Sequence, residues 1–171
     1  MHSMGARFQV EGEVRREEYL LRRLSPRQYN RKTDQVRYAA FIPKPGESVS
    51  VYSSNRTPRS LLVECIQQQQ ELASSTDEET RDRALRFLET NGNTPEEMIA
   101  NGWRIAVVHE SSFSSRGIRV DPPNRTHHRD VWIDHADPER DRICGDIALE
   151  AKVLDEATCN SDNLLSLPLS R

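Results

Sequence analysis

The chain has 171 residues, 35% of them apolar and 30% charged, with a formal net charge of −3 and a mean hydropathy of −0.77. That length suits a single domain with polar loops, and the near balance of 24 basic and 27 acidic residues removes the cationic excess that nucleic-acid binding draws on. No stretch is apolar enough to suggest a membrane span, and Met1–Val10 lacks the apolar centre of a secretory signal, so a cytoplasmic protein is expected.

In chain order, residues 1–17 are expected to be a flexible segment, 18–154 a single domain and 155–171 a loose tail. Glu18–Leu24 reads as a first strand, stopped by Ser25-Pro26. Val36–Ile42 is β-rich and ends at Pro43-Lys-Pro-Gly46, and Val49–Ser53 alternates cleanly, which predicts an antiparallel hairpin between the two. Thr57-Pro58, Thr94-Pro95 and Asp137-Pro138 each place a capping side chain before a proline suited to the first helical turn. Thr76 and Glu79 have capping-box spacing, as do Thr94 and Glu97. These signals predict helices over 58–72, 77–90, 95–100 and 138–154. Trp103–His109, Arg116–Val120 and Asp130–Asp134 read as later strands, with the Ser111–Ser115 region as a flexible loop. The fold class expected is α+β: two layers, a mostly antiparallel sheet with helices packed on one face.

The three cysteines, Cys65, Cys144 and Cys159, form no Cys-x-x-Cys pair, which argues against a cysteine-only zinc site and against a disulfide framework. The densest chemistry lies in Asn124–His135 instead. His127, His128, Asp130 and His135 are candidate metal ligands by residue type. On a strand over 130–134, His128, Asp130, Trp132 and Asp134 share one face. His128, Asp130 and Asp134 are then the candidate catalytic set for metal-assisted phosphoester hydrolysis. His109, followed by Glu110, is a further acid–base candidate. The plainer reading of each is a solvated loop or the polar end of a strand. On that reading no cofactor is expected, a divalent metal being the alternative.

Arg22 or Arg23 on the first strand, Tyr52 on a later strand and Glu64 in the following helix resemble, as a set, ADP-ribosyltransferase-type toxins that hold NAD in a cleft. That resemblance implies an arginine against the pyrophosphate and a glutamate near the ribose. The general layout resembles a group of small, uncharacterised bacterial proteins. Leu20–Pro26 (LLRRLSP), Tyr38–Phe41 (YAAF), Val49–Val51 (VSV), His128–Val131 (HRDV) after a proline-rich loop, and Asp146–Val153 (DIALEAKV) carry it. Arg129 stands where that group has a small residue. This second resemblance implies one compact domain and no particular reaction. The leading functional expectation is a bacterial accessory or protein-binding domain, with Leu164, Leu165, Leu167 and Leu169 as an apolar docking handle for another protein. The metal-assisted phosphoester hydrolase is the enzymatic alternative, and nucleic acid, resting on the N-terminal arginines alone, is an unlikely partner.

Overall fold

Apolar residues on both sides of the strands, such as Leu20 and Leu21 of one strand and Ile105 and Ala106 of another, drive a central sheet that is buried over much of both faces. The computed structural model describes residues 18–166. The expected flexible segment 1–17 and the end of the tail, with Leu167 and Leu169, lie outside the described residues. β1 (Tyr19–Leu24) is followed by a small hairpin of β2 (Tyr29–Asn30) and β3 (Gln35–Val36), then by β4 (Val49–Ser53), β5 (Arg104–His109), β6 (Arg119–Val120), β7 (His128–Trp132) and β8 (Lys152–Val153). Six of these form one antiparallel sheet in the order β6–β7–β4–β1–β5–β8. The expected α+β class with an antiparallel sheet is what the structure shows.

Helices cover both faces, however, and the leucines of β1 show why. Leu20 and Leu24 join Val49, Val51, Ala106, Val108 and Val131 in one buried cluster, which is sealed by Phe41, Phe113, Cys144 and Ile147. These last four come from the turn Tyr38–Phe41, from α4 (Ser111–Ser114) and from α5 (Arg140–Glu150). Leu21, Tyr52 and Ile105 point the other way. They meet Leu61, Leu62, Cys65 and Ile66 of α1 (Pro58–Leu72), Leu88 of α2 (Glu78–Asn91), Met98 of α3 (Pro95–Ala100) and Cys159 of α6 (Glu156–Cys159). This second cluster takes no residue from β6 or β7, so the helices on this face leave that edge of the sheet open.

The strongest local signals translate directly into structure. The Thr57 and Thr94 side chains accept hydrogen bonds from the backbone N–H of Ser60 and Glu97, and proline opens each helix. Gly92 ends α2 at φ 106°, where an added β-carbon would collide with Glu97. Other expectations shift. Asp77, not Thr76, caps α2. Asp137 instead closes a turn, accepting from Glu139 N–H, and α5 begins at Arg140. That helix ends at Glu150 because the chain straightens to pair β8 with β5.

The predicted 36–42 strand is replaced by β3 and a 3-10 turn over Tyr38–Phe41. Ala40 and Phe41 are both buried, and a strand would have sent these neighbours to opposite faces. The expected hairpin with Val49–Ser53 is therefore absent, and β4 pairs with β1 and β7. Residues 155–166, expected within a loose tail, are folded onto the second face. Cys159 is fully buried, Leu165 is 8% exposed, and Arg104 reaches Glu156 at 2.7 Å.

Candidate functional site

The open edge of the second face is where polar side chains collect. β4 and β7 pair with Tyr52 opposite His128, and the two rings meet edge to face with centroids 5.3 Å apart. Strand alternation puts Arg23, rather than Arg22, on this side. Arg23 lies over the Tyr52 ring at 5.9 Å and donates from Nη1 to Leu61 O at 2.6 Å. Arg56, just before α1, lies over the same ring at 5.4 Å. Tyr52 is thus a nearly buried post between two guanidinium groups, each held by its quadrupole and by fixed carbonyls.

Glu64 projects from α1 towards this post. Its Oε2 lies 3.0 Å from Arg56 Nη1. The two are ion-paired, Arg56 Nη1 also donates to Thr126 O at 2.8 Å, and Glu64 Oε2 is shielded from solvent. Arg23, Ser50, Tyr52, Glu64, Asn124 and His128 are among the residues lining a cavity of about 340 Å³. A second cavity of about 520 Å³, with Arg56, Arg125, Thr126 and His127 in its wall, adjoins it through Glu64 and Thr126.

The His–Asp segment is split rather than gathered. β7 spans 128–132, two residues earlier than the predicted 130–134, so His128, Asp130 and Trp132 share a face. Asp134 falls beyond the strand and accepts from Ala136 N–H in a turn. Asp134 and His135 line a separate cavity beside Pro45–Glu47, while His127 sits in the loop before β7. His128 Nε2 is 3.7 Å from Asp130 Oδ1, and Asp130 also accepts from the Ser48 hydroxyl at 2.6 Å. Trp132, which decides whether this face is core, is 37% exposed, with Arg119 over its ring at 5.0 Å. Among the described residues no three His, Cys, Asp or Glu side chains converge as a metal ion requires, so His127, His128, Asp130 and His135 do not form one ligand set.

His109 is partnered differently from the expected pairing with Glu110. Its Nδ1 accepts from Ser111 N–H at 3.1 Å and lies 2.7 Å from Ser111 Oγ, and its Nε2 faces Glu18 at 3.3 Å. Glu110 turns to Arg129, 3.5 Å away. The cysteines are core residues. Burial pushes the thiols of Cys144 and Cys159 up to about 11, and raises that of Cys65, which leaves them poor nucleophiles.

Sequence reasoning identified Arg23, Tyr52 and Glu64 separately from His128, and the β4–β7 register brings them together. Arg56 was missed; its position two residues before the Pro58 that opens α1 carried no signal of its own. No helix among the described residues is long and apolar enough to cross a membrane. No family model matches the chain, and neither a curated protein nor a solved structure matches it significantly.

Proposed function

We propose that the cleft between α1 and β4–β7 binds a pyridine dinucleotide and cleaves its N-glycosidic bond. The observation that carries this reading is the convergence of Arg23, Tyr52, Glu64 and His128 at one cavity, with Arg56 over the same Tyr52 ring and in the wall of the adjoining cavity. An anionic diphosphate fits adjoining cavities that present Arg23 on one side and Arg56 with Arg125 on the other, because arginine offers N–H donors to phosphate oxygens. A carboxylate at the same cavity suits the other end of the substrate. As the bond from ribose C1′ to the nicotinamide nitrogen breaks, its electron pair leaves with nicotinamide and positive charge grows on the ribose. The Glu64 carboxylate stabilises that charge in a partly shielded site, where electrostatic interactions exceed their strength in water. Water then adds at C1′, giving ADP-ribose and releasing one proton. His128, on the cleft wall with its Nε2 3.7 Å from Asp130 Oδ1, is the group we assign to take that proton.

The test is nicotinamide release from NAD by the purified chain, followed by chromatography. Glu64→Gln keeps the shape of the side chain and removes its charge, and is expected to slow release by about a hundredfold or more. Equal release by wild type and variant, or none by the wild type, refutes the reading.

Among the described residues, the docking expectation keeps Leu164 exposed and loses Leu165 to the second core. The metal-assisted alternative retains only the His128–Asp130 pair of its catalytic set on one face.

A further inference from the structure

Arg56 joins three parts of the cleft. Its Nε donates to Ser60 Oγ at 3.1 Å and its Nη2 to Ser60 O at 3.2 Å, which anchors it to α1. Its Nη1 donates to Thr126 O, which ties α1 to the loop before β7. The same nitrogen is ion-paired with Glu64 Oε2 at 3.0 Å. The loop it reaches is firmly built. Asn124 Oδ1 accepts from the N–H groups of Thr126 and His128 at 2.9 and 3.0 Å and from the Thr126 hydroxyl at 2.8 Å. His127 is held at φ 62° with its carbonyl accepting from Ser53 N–H at 2.8 Å. A non-glycine residue in this region costs about 1 kcal/mol or more, and it persists where surrounding contacts fix it. The cavity beside this loop also carries the exposed Arg125, together with Asp162, which lies 3.7 Å from Arg59.

We propose that Arg56 is a phosphate-operated latch on Glu64. At rest the guanidinium occupies the carboxylate that the reaction needs; a diphosphate arriving beside Arg125 draws the guanidinium away, and Glu64 is freed for the ribose. The proposal rests on the reading of the cleft as a dinucleotide site. A phosphate carries more negative charge than a carboxylate and offers several oxygens to Nη1, so the exchange favours the ligand. The consequence is specificity: a substrate lacking the diphosphate meets a site whose carboxylate is still engaged. Arg56 is in this sense a positioning residue, acting through Glu64.

The test uses nicotinamide riboside, which carries the scissile bond but no phosphate. With the wild-type chain, added inorganic pyrophosphate is expected to raise nicotinamide release from the riboside by about fivefold, as a missing binding element restored in trans. Arg56→Gln is expected to cleave the riboside faster than the wild type without pyrophosphate, to ignore pyrophosphate, and to lose about tenfold or more in kcat/KM for NAD. Arg56→Lys keeps the charge but not the fork, and serves if the glutamine variant does not fold; its pyrophosphate affinity by calorimetry is expected to fall about tenfold. NAD cleavage by a wild type indifferent to pyrophosphate, or a pyrophosphate response that survives in Arg56→Gln, overturns the latch while leaving the cleft reading intact. If the wild type cleaves neither NAD nor the riboside, the cleft reading fails by itself. Calorimetry then decides the anion site: pyrophosphate binding lost in Arg56→Gln supports it, and no binding by the wild type overturns it.

Discussion

Arg22 and Arg23 are neighbours on β1 that face opposite sides of the sheet, and their surroundings differ as the two faces do. Arg22 turns to the face closed by α4, α5 and the Tyr38–Phe41 turn. It donates from Nε to Ala40 O and from Nη1 to Ser50 O, at 3.0 and 2.9 Å. Although part of its side chain reaches solvent, the guanidinium is enclosed, and burial followed by the charge of Arg23 pulls it down to about 10. Arg23 turns to the face where the helices stop short of β7, and its guanidinium borders a cavity. The same residue type is thus a brace where coverage is complete and a cavity-lining group, the binding group of the proposed function, where coverage ends. Which role a strand arginine takes is set by what packs over it, not by the strand.

The largest effect expected concerns how the second face is closed. Deleting the chain from residue 155 onward removes Cys159 and Leu165 from the second core, uncovers Ile105, and takes Glu156 from Arg104. Two buried side chains alone correspond to about 4 kcal/mol, so chemical denaturation is expected to show a severe loss of stability or an unfolded product. A truncated chain as stable as the full one would mean that this face does not depend on the tail.

The two arginines provide the next test. Arg22→Met leaves the Ala40 and Ser50 carbonyls without their donor in an enclosed place, at an expected cost of about 3 kcal/mol. Arg23→Met loses one hydrogen bond, to Leu61 O, and is expected to cost about 1 kcal/mol while abolishing nucleotide binding. Denaturation midpoints and NAD titrations of the two variants check both halves. If Arg23→Met proved the more destabilising, the division into brace and binding group would be wrong.

Much of this organisation follows from local chemistry. The threonine–proline pairs before α1 and α3 act through their own next few residues, so their spacing is legible directly. The α+β class also follows from strand and helix patterns that come in runs rather than in strict alternation. The assembly of the site does not, because Tyr52 meets His128 only through a pairing between segments far apart in sequence. A two-residue shift in the start of β7 was enough to remove Asp134 from its expected face. Coverage of both faces was hidden for a similar reason. The buried role of Phe41 depends on a tight turn, and that of Leu165 on an aperiodic segment, and neither pattern declares which surface it will meet.

The cysteines compare the faces at a finer scale, since Cys144 sits in the first core and Cys65 and Cys159 in the second. Unfolded thiols ionise near 9.0, whereas Cys144 and Cys159 hold their protons to about 11 because burial disfavours the thiolate. Above pH 9 the unfolded chain therefore loses protons before the folded one, and stability falls as pH rises. Arg22 acts in the opposite sense as pH approaches and passes about 10, because its enclosed guanidinium gives up a proton ahead of its unfolded counterpart. Between pH 9 and 10 the thiols lead the decline, with Tyr29, also raised by burial, adding to it and Arg22 opposing it at the upper end. Denaturation measured across this window is expected to show a modest decline that flattens in the Cys144→Ala and Cys159→Ala double variant. An equal decline in that variant would assign the titration to other groups. Cys65 adds the comparison between faces: its thiol is raised too, but it lies in α1, which borders the open cleft, and is 7% exposed where Cys144 is fully buried. At pH 8 a disulfide reagent is expected to modify Cys65 before Cys144, and binding of a ligand in the cleft should slow that reaction if it tightens α1 against β4.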